Sequence, residues 1–221
     1  MAMQNIKSDT FGSATGSAAA VFQSGEYLLG IVQHAMAAQE NTRIVLPGKG
    51  EITILPASGV YYAAAQNFIE FCRTPAGQFQ VEKFGGVAQP YQHLAKKDIK
   101  MLLWQAAFHA SQGRLIEGCS IYDVVRFRCW PNLTRLSVTP NTARICALLT
   151  RNPTTIMLVH RLIGIERSEV YQIYSAASCA GICHKTGKNP DHVSVEDDLK
   201  LLQPAKERSL LRSLLSKISR L

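Results

Sequence analysis

No stretch of this sequence stays apolar for the ~20 residues that a membrane-spanning helix needs. Its first residues, MAMQNIKSDTFGSATGSAAAVF, lack the basic region and apolar core of a secretory leader. Both absences lead to the expectation of a cytoplasmic protein with no transmembrane segment. Charge is sparse at 18% and hydrophobic content is 47%, which excludes a globally disordered chain. Motifs that carry chemistry are also lacking. There is no Gly-x-Ser-x-Gly and no His-Glu-x-x-His, and no carboxylate pair stands out. Gly48-Lys49-Gly50 is not a phosphate loop, because Lys49 is followed by Gly50 and a strand instead of Ser or Thr and a helix. The six cysteines are scattered, as reduced thiols are, and do not form a disulfide framework. Cys179, Cys183, His184 and His192 could supply four metal ligands within fourteen residues, but zinc sites use Cys-x2–4-Cys pairs on turns, and Cys179 sits near a helix end among small residues suited to close packing. No metal and no cofactor are expected, and an enzyme is the weakest reading.

What the sequence does have is a net charge of +8, half of it in the last 17 residues. A basic balance attracts nucleic acid or an anionic membrane and does not determine fold. Residues 1–20 are rich in Ser, Gly, Ala and Thr and read as a flexible arm. Tyr27, Leu28, Ile31, Val32, Ala35 and Met36 form a helical stripe; His34 lies off it, as a solvated imidazole does. RIVLP and EITIL flank Gly48-Lys49-Gly50 as a β-hairpin, and Val60 to Tyr62 is a third strand. Gln66 to Cys72 fits either helix or strand, and Phe79 to Phe84 is strand-like. A helix is expected over Lys96 to Ser111, with Trp104 and Phe108 one turn apart and packed together. Val125, Phe127 and Cys129 alternate with Arg126 and Arg128, as in an edge strand with a basic outer face. A linker is placed near Pro131 to Thr139.

The most informative stretch is Pro153 to Ile182. Thr154 is a candidate cap, Ile156, Leu158, Val159, Leu162 and Ile163 form a stripe, and Gly164 ends the helix with Ile165 as a buried plug. A second helix runs from about Arg167 to Ala180, with Val170, Ile173, Tyr174 and Ala177 on one face, and Gly181 stops it. This is a helix-turn-helix pattern. A preceding helix opens at Thr139-Pro140, and Ile182 to Pro190 supplies a strand and a wing. If the second helix read DNA, its outer face would offer Glu166, Arg167, Ser168, Gln172 and Ser175. Glu166 and Glu169 carry the wrong sign for that task. Arg167 and Gln172 remain candidate base readers, and Arg144, Arg151, Arg161, Lys185 and Lys188 candidate phosphate contacts. His160 stands where such motifs favour a small residue. The same side chains serve equally as contacts to a protein partner.

Beyond Pro204 a basic amphipathic helix is expected. Leu210, Leu211, Leu214, Leu215, Ile218 and Leu221 share one side, suited to self-packing or a homodimer, to an anionic membrane or to a partner's groove.

The run Arg126-x-Arg128-x-Trp130-Pro131-Asn132-Leu133-Thr134-Arg135-Leu136 and the segment Pro140 to Gly181 resemble a family of uncharacterised proteobacterial proteins. That resemblance covers residues 120–187 most specifically. It implies a regulator with a winged-helix-like end, sometimes beside small GTPase systems, and assigns no catalytic residue. The expected architecture is α+β. A flexible arm (1–20) leads to an N-terminal helix on a small antiparallel sheet (21–130). A three-helix winged-helix-like domain (131–190) and a tail helix (191–221) follow. The leading expectation is a bacterial regulatory or adaptor protein acting through protein contacts, and the alternative is a DNA-binding transcription regulator.

Overall fold

The computed structural model of the chain describes residues 19–85, 91 and 94–188. The expected arm lies almost wholly outside them, as do His192 and the tail face from Leu210 to Ile218. Within them the chain is mixed α+β, with six α-helices and two antiparallel sheets, plus one short parallel pair.

The first half is ordered by a meander. β1 (Val21–Phe22) leads into α1 (Leu28–Ala38). Then β2 (Thr42–Leu46), β3 (Gly50–Leu55) and β4 (Val60–Ala65) follow with short turns. Leu46 pairs with Gly50 across the Gly48-Lys49 turn, as the hairpin pattern predicts. Period-2 alternation buries Thr42, Ile44 and Leu46 of β2 against the helices. The ambiguous stretch after β4 is helical: α2 (Phe68–Arg73). Its start is fixed by Asn67, whose side chain accepts the Glu70 backbone N–H at 3.2 Å. β5 (Gln80–Lys83) pairs with β2, and β6 (Lys97–Asp98) with β4, giving the order β5-β2-β3-β4-β6. Because Lys97 and Asp98 are taken by the sheet, the next helix, α3 (Ile99–Ser111), starts later than its periodicity suggests. Asp98 caps it through the Lys100 N–H at 2.8 Å. β7 (Leu115–Ile116) then runs parallel to β1.

The second half holds β8 (Asp123–Phe127), α4 (Thr142–Arg151), β9 (Thr154–Thr155), α5 (Ile156–Ile163), α6 (Arg167–Cys179) and β10 (Cys183–Lys188). Its sheet has the order β10-β8-β9. The strand expected at an edge is therefore central. Val125 and Phe127, 0% and 1% exposed, pack beneath it, while both of its backbone edges find partners. β8 precedes the boundary placed at residue 130, and both of its partner strands follow that boundary.

Residues 131–139 do not run free. Trp104 donates its indole N–H to the Ser137 carbonyl at 3.0 Å, the Ser137 N–H reaches Gln105 Oε1 at 3.2 Å, and His109 Nε2 lies 2.8 Å from Ser137 Oγ. These bonds stitch the segment to α3. Trp104 is thereby turned to Ser137, and Phe108 meets the ring of His109 edge-on, with centroids 5.1 Å apart, instead of Trp104.

Buried apolar residues from both halves form one cluster, from Leu28 and Ile52 to Tyr174 and Ala177. Within it, α3 and α6 pack against each other.

His109 is buried, and burial, followed by the nearby Arg73 guanidinium, pushes its pKa down from 6.5 to about 4. Between those two values the unfolded chain binds the proton and the folded chain refuses it. Stability present at neutral pH is therefore lost as pH falls through that window. Urea denaturation should give a lower midpoint at pH 4.5 than at pH 7 (roughly the acid end of the His range). His109→Gln should flatten this dependence while shifting the neutral-pH midpoint less.

Candidate functional site

The helix pair forms as its sequence pattern predicts, but it opens differently. Thr154 lies in β9, paired with Val125, and its hydroxyl donates to the Asn152 carbonyl. Thr155 holds the cap position without a side-chain bond. The orphan Met157 N–H is served instead by the Ile121 carbonyl at 2.8 Å, from the loop before β8. Gly164, with φ +69°, ends α5 in the left-handed region that glycine enters without steric cost. Ile165 is half-buried instead of a plug, and Leu162, expected in the core, is 36% exposed. Upstream, α4 begins at Thr142 and not at Pro140. The Thr142 hydroxyl accepts the Thr139 N–H at 2.7 Å, and Asn141 is drawn toward Glu169 by two bonds.

α6 is enclosed. Ile173, Tyr174, Ser175, Ala176 and Ala177 are all 0% exposed. Five successive buried residues exceed the roughly 3.6 of one helical turn, so this part of α6 has no outer face. The polar residues expected to face a duplex are used inside the fold. Gln172 donates its side-chain amide to the Phe108 carbonyl at 2.9 Å, across to α3. Ser175 Oγ accepts the Ile116 N–H at 3.0 Å. Ser168 is exposed but sits against Gly113, where an added Cβ would lie 2.8 Å from the Ser168 Cβ. Gly113 also has φ +84°, so both the approach and the backbone there favour glycine.

Two expected phosphate contacts are likewise engaged. Arg144 donates to the Ile163 carbonyl at 2.7 Å and so caps the end of α5. Lys185 donates to the Gly118 carbonyl at 2.7 Å and pairs with Asp123 at 3.0 Å. Lys188 takes its place in β10 opposite Asp123. Arg161, Glu166 and Arg167 remain exposed around the Gly164 turn, and Arg151 is exposed at the end of α4. His160 lies where the charges of Arg161, Glu166 and Arg167 meet. Burial first, then Arg167 and Arg161, lower its pKa, and Glu166 opposes them. Its Nε2 is buried without a partner among the described residues.

The sheet of the second half carries a second candidate surface. Arg126, Phe127, Arg128, Thr150 and His184 line an open cleft of about 540 Å³. His184 stands opposite Arg126 in the β8–β10 register, and the Arg128 N–H continues that pairing to the Ile182 carbonyl at 2.9 Å. Arg126 Nε points to the Thr150 carbonyl at 3.4 Å. Two exposed aromatics flank the strand, Tyr122 just before it and Trp130 just after, each 51% exposed. The alternation of Arg126 and Arg128 is legible in the sequence; their pairing with His184 and Thr150 needs the fold.

Beneath the same strand lies a node with no local signature. The Asp123 carboxylate is 0% exposed and accepts from the Ser120 N–H at 2.7 Å, the Tyr174 hydroxyl at 2.7 Å and Lys185. Burial pushes its pKa up, but these three donors together hold it below the usual carboxylate range. Burial pushes the Cys72, Cys146, Cys179 and Cys183 thiols up to about 12, which leaves them protonated and poor nucleophiles. Cys183 and His184 are successive residues of β10 and so lie on opposite faces. No group of three His, Cys, Asp or Glu side chains among the described residues is arranged to hold a metal.

No family model, curated protein or solved structure matches the chain.

Tyr174→Phe deletes one bond to a buried carboxylate and leaves the ring in place. It should lower unfolding free energy by about 1–3 kcal/mol in urea titrations. Asp123→Asn should cost at least as much, because Lys185 loses its counter-charge.

Proposed function

We propose that the chain is a non-enzymatic regulatory or adaptor protein, working in a bacterial cytoplasm through protein–protein contacts. The observation that carries this reading is the surface along β8. Tyr122, Arg126, Arg128 and Trp130 put two exposed aromatics and two arginines on one short stretch. Trp, Tyr and Arg are the residues that most often anchor protein interfaces. The turn patch of Arg161, Glu166 and Arg167 adds mixed charge, which suits a protein partner better than a polyanion.

We read α4, β9, α5, α6 and β10, with β8 between the two strands, as a winged-helix-like unit whose central strand comes from upstream. In this reading the helix pair is a structural core and the sheet is the contact surface. A member of a small GTPase system is the partner class that the WPNLTRL resemblance implies.

A DNA-binding regulator is the second reading, favoured by the basic cleft and the net charge of +8. The internal bonds of Gln172 and Ser175 weigh against it, since a base reader must be free to enter a groove. Anisotropy of a labelled random duplex across a salt series separates the two. The adaptor reading expects no micromolar binding at physiological salt. Micromolar binding that weakens steeply as salt rises would contradict it.

A further inference from the structure

We propose that the cleft formed by Arg126, Arg128, His184 and Thr150 is a binding site for a phosphate-type oxyanion. The geometry of the sheet brings the donors together. Arg126 lies in β8 and Arg128 just past its end, where its N–H still bonds to the Ile182 carbonyl at 2.9 Å, and both line the cleft. His184 stands directly across from Arg126 on β10, where cross-strand side chains are about 5 Å apart. Three nitrogen-bearing side chains therefore border one open volume of about 540 Å³. Guanidinium forks match the oxygens of a phosphate in pairs.

Nothing of opposite charge lines this cleft. The ion pairs among the described residues engage Arg43, Lys49, Lys83 and Lys185, and neither Arg126 nor Arg128 takes part in one. Two guanidinium groups facing the same space without a carboxylate repel each other, and a bound dianion relieves that repulsion. Arg126 is already steered by the Thr150 carbonyl at the end of α4.

Thr150 supplies the independent sign. Its Oγ1 is buried and has no hydrogen-bond partner among the described residues. A threonine in a helix has two accessible χ1 rotamers. Thr150 also lines the cleft, so an oxygen bound there is a candidate for the partner this hydroxyl lacks. The site holds whether or not the protein is an adaptor. The shared chemistry is a tetrahedral oxyanion, carried by a small metabolite or by a phosphorylated side chain.

The test uses the full chain and ¹⁵N-resolved NMR titrations at constant ionic strength, with inorganic phosphate, methyl phosphate, phosphoserine and acetate as probes. Saturable shifts at the Arg126, Arg128, Thr150 and His184 amides are expected with the three phosphates and not with acetate. Preference for phosphoserine over methyl phosphate would assign the carrier as a modified side chain, and the reverse as a small molecule. Arg128→Gln should weaken phosphate binding about tenfold, the size of one lost charged hydrogen bond. Thr150→Val should weaken it less. Lys96→Gln with Lys100→Gln, a charge-matched change outside the cleft, should leave it unaltered. The Arg variants are surface changes, and unaltered spectra elsewhere verify their fold. Acetate binding as tight as phosphate, or phosphate binding unchanged in Arg126→Gln with Arg128→Gln, overturns the proposal.

Discussion

The fold depends on α6 being surrounded. A helix buried around more than one full turn must satisfy every side chain within the protein, and this one does so with small residues and directed bonds. Ala176 and Ala177 allow close approach of neighbouring elements. Tyr174 reaches Asp123 under the sheet, Ser175 takes the Ile116 N–H, and Gln172 holds the last turns of α3. α3 answers in kind, since Ala106 to Ser111 are also buried without a break. The meander contributes Ile44, Ile52, Ile54 and Tyr61 to the core that this helix pair shares, and the three-stranded sheet Val125 and Phe127. A buried polar bond of this sort contributes modestly when made and costs more when left unmade. The polar residues of α6 therefore specify position more than they add stability.

That constraint redirects the search for function. A helix-turn-helix reads a groove through an exposed second helix, and here that helix is interior from Ile173 to Ala177. What remains outward is the turn, with Arg161, Glu166 and Arg167, and the sheet, with Arg126, Arg128, His184, Tyr122 and Trp130. Strand β8 links the two levels of the molecule. Its inward residues, Asp123, Val125 and Phe127, fasten α6 and the core, while Arg126, and Arg128 just beyond its end, face solvent. The residue that anchors the interior and the residues that offer a surface thus lie on or beside one strand, a few positions apart.

Local pattern made the local elements legible. The hairpin around Gly48-Lys49, the stripe of α1, the Gly164 stop and the buried set Val170, Ile173, Tyr174 and Ala177 are all written in short-range periodicity. The errors share a cause: a partner distant in sequence changed the meaning of a local signal. Thr154 reads as a helix cap until β8 claims it as a strand. Lys97 reads as helix until β4 pairs with it. Val125 to Cys129 reads as an edge because nothing nearby announces that β9 and β10 will flank it. Gln172 reads as an exposed amide because the Phe108 carbonyl lies far upstream. The cleft was half legible, in the alternation of its arginines. Asp123 was not legible at all, since one acidic residue ahead of a strand carries no sign of three donors converging on it.

Native-state hydrogen exchange of the backbone amides tests the central claim most directly. If α6 is the enclosed hub, its amides from Ile173 to Ala177 should exchange only on global unfolding. They should be as slow as those of Ala106 to Ala110 in α3 and slower than those of α4, whose Arg144 and Leu148 lie nearer solvent. Exchange of the α6 amides at rates matching the surface helices, through local opening well below the global unfolding free energy, would contradict the account.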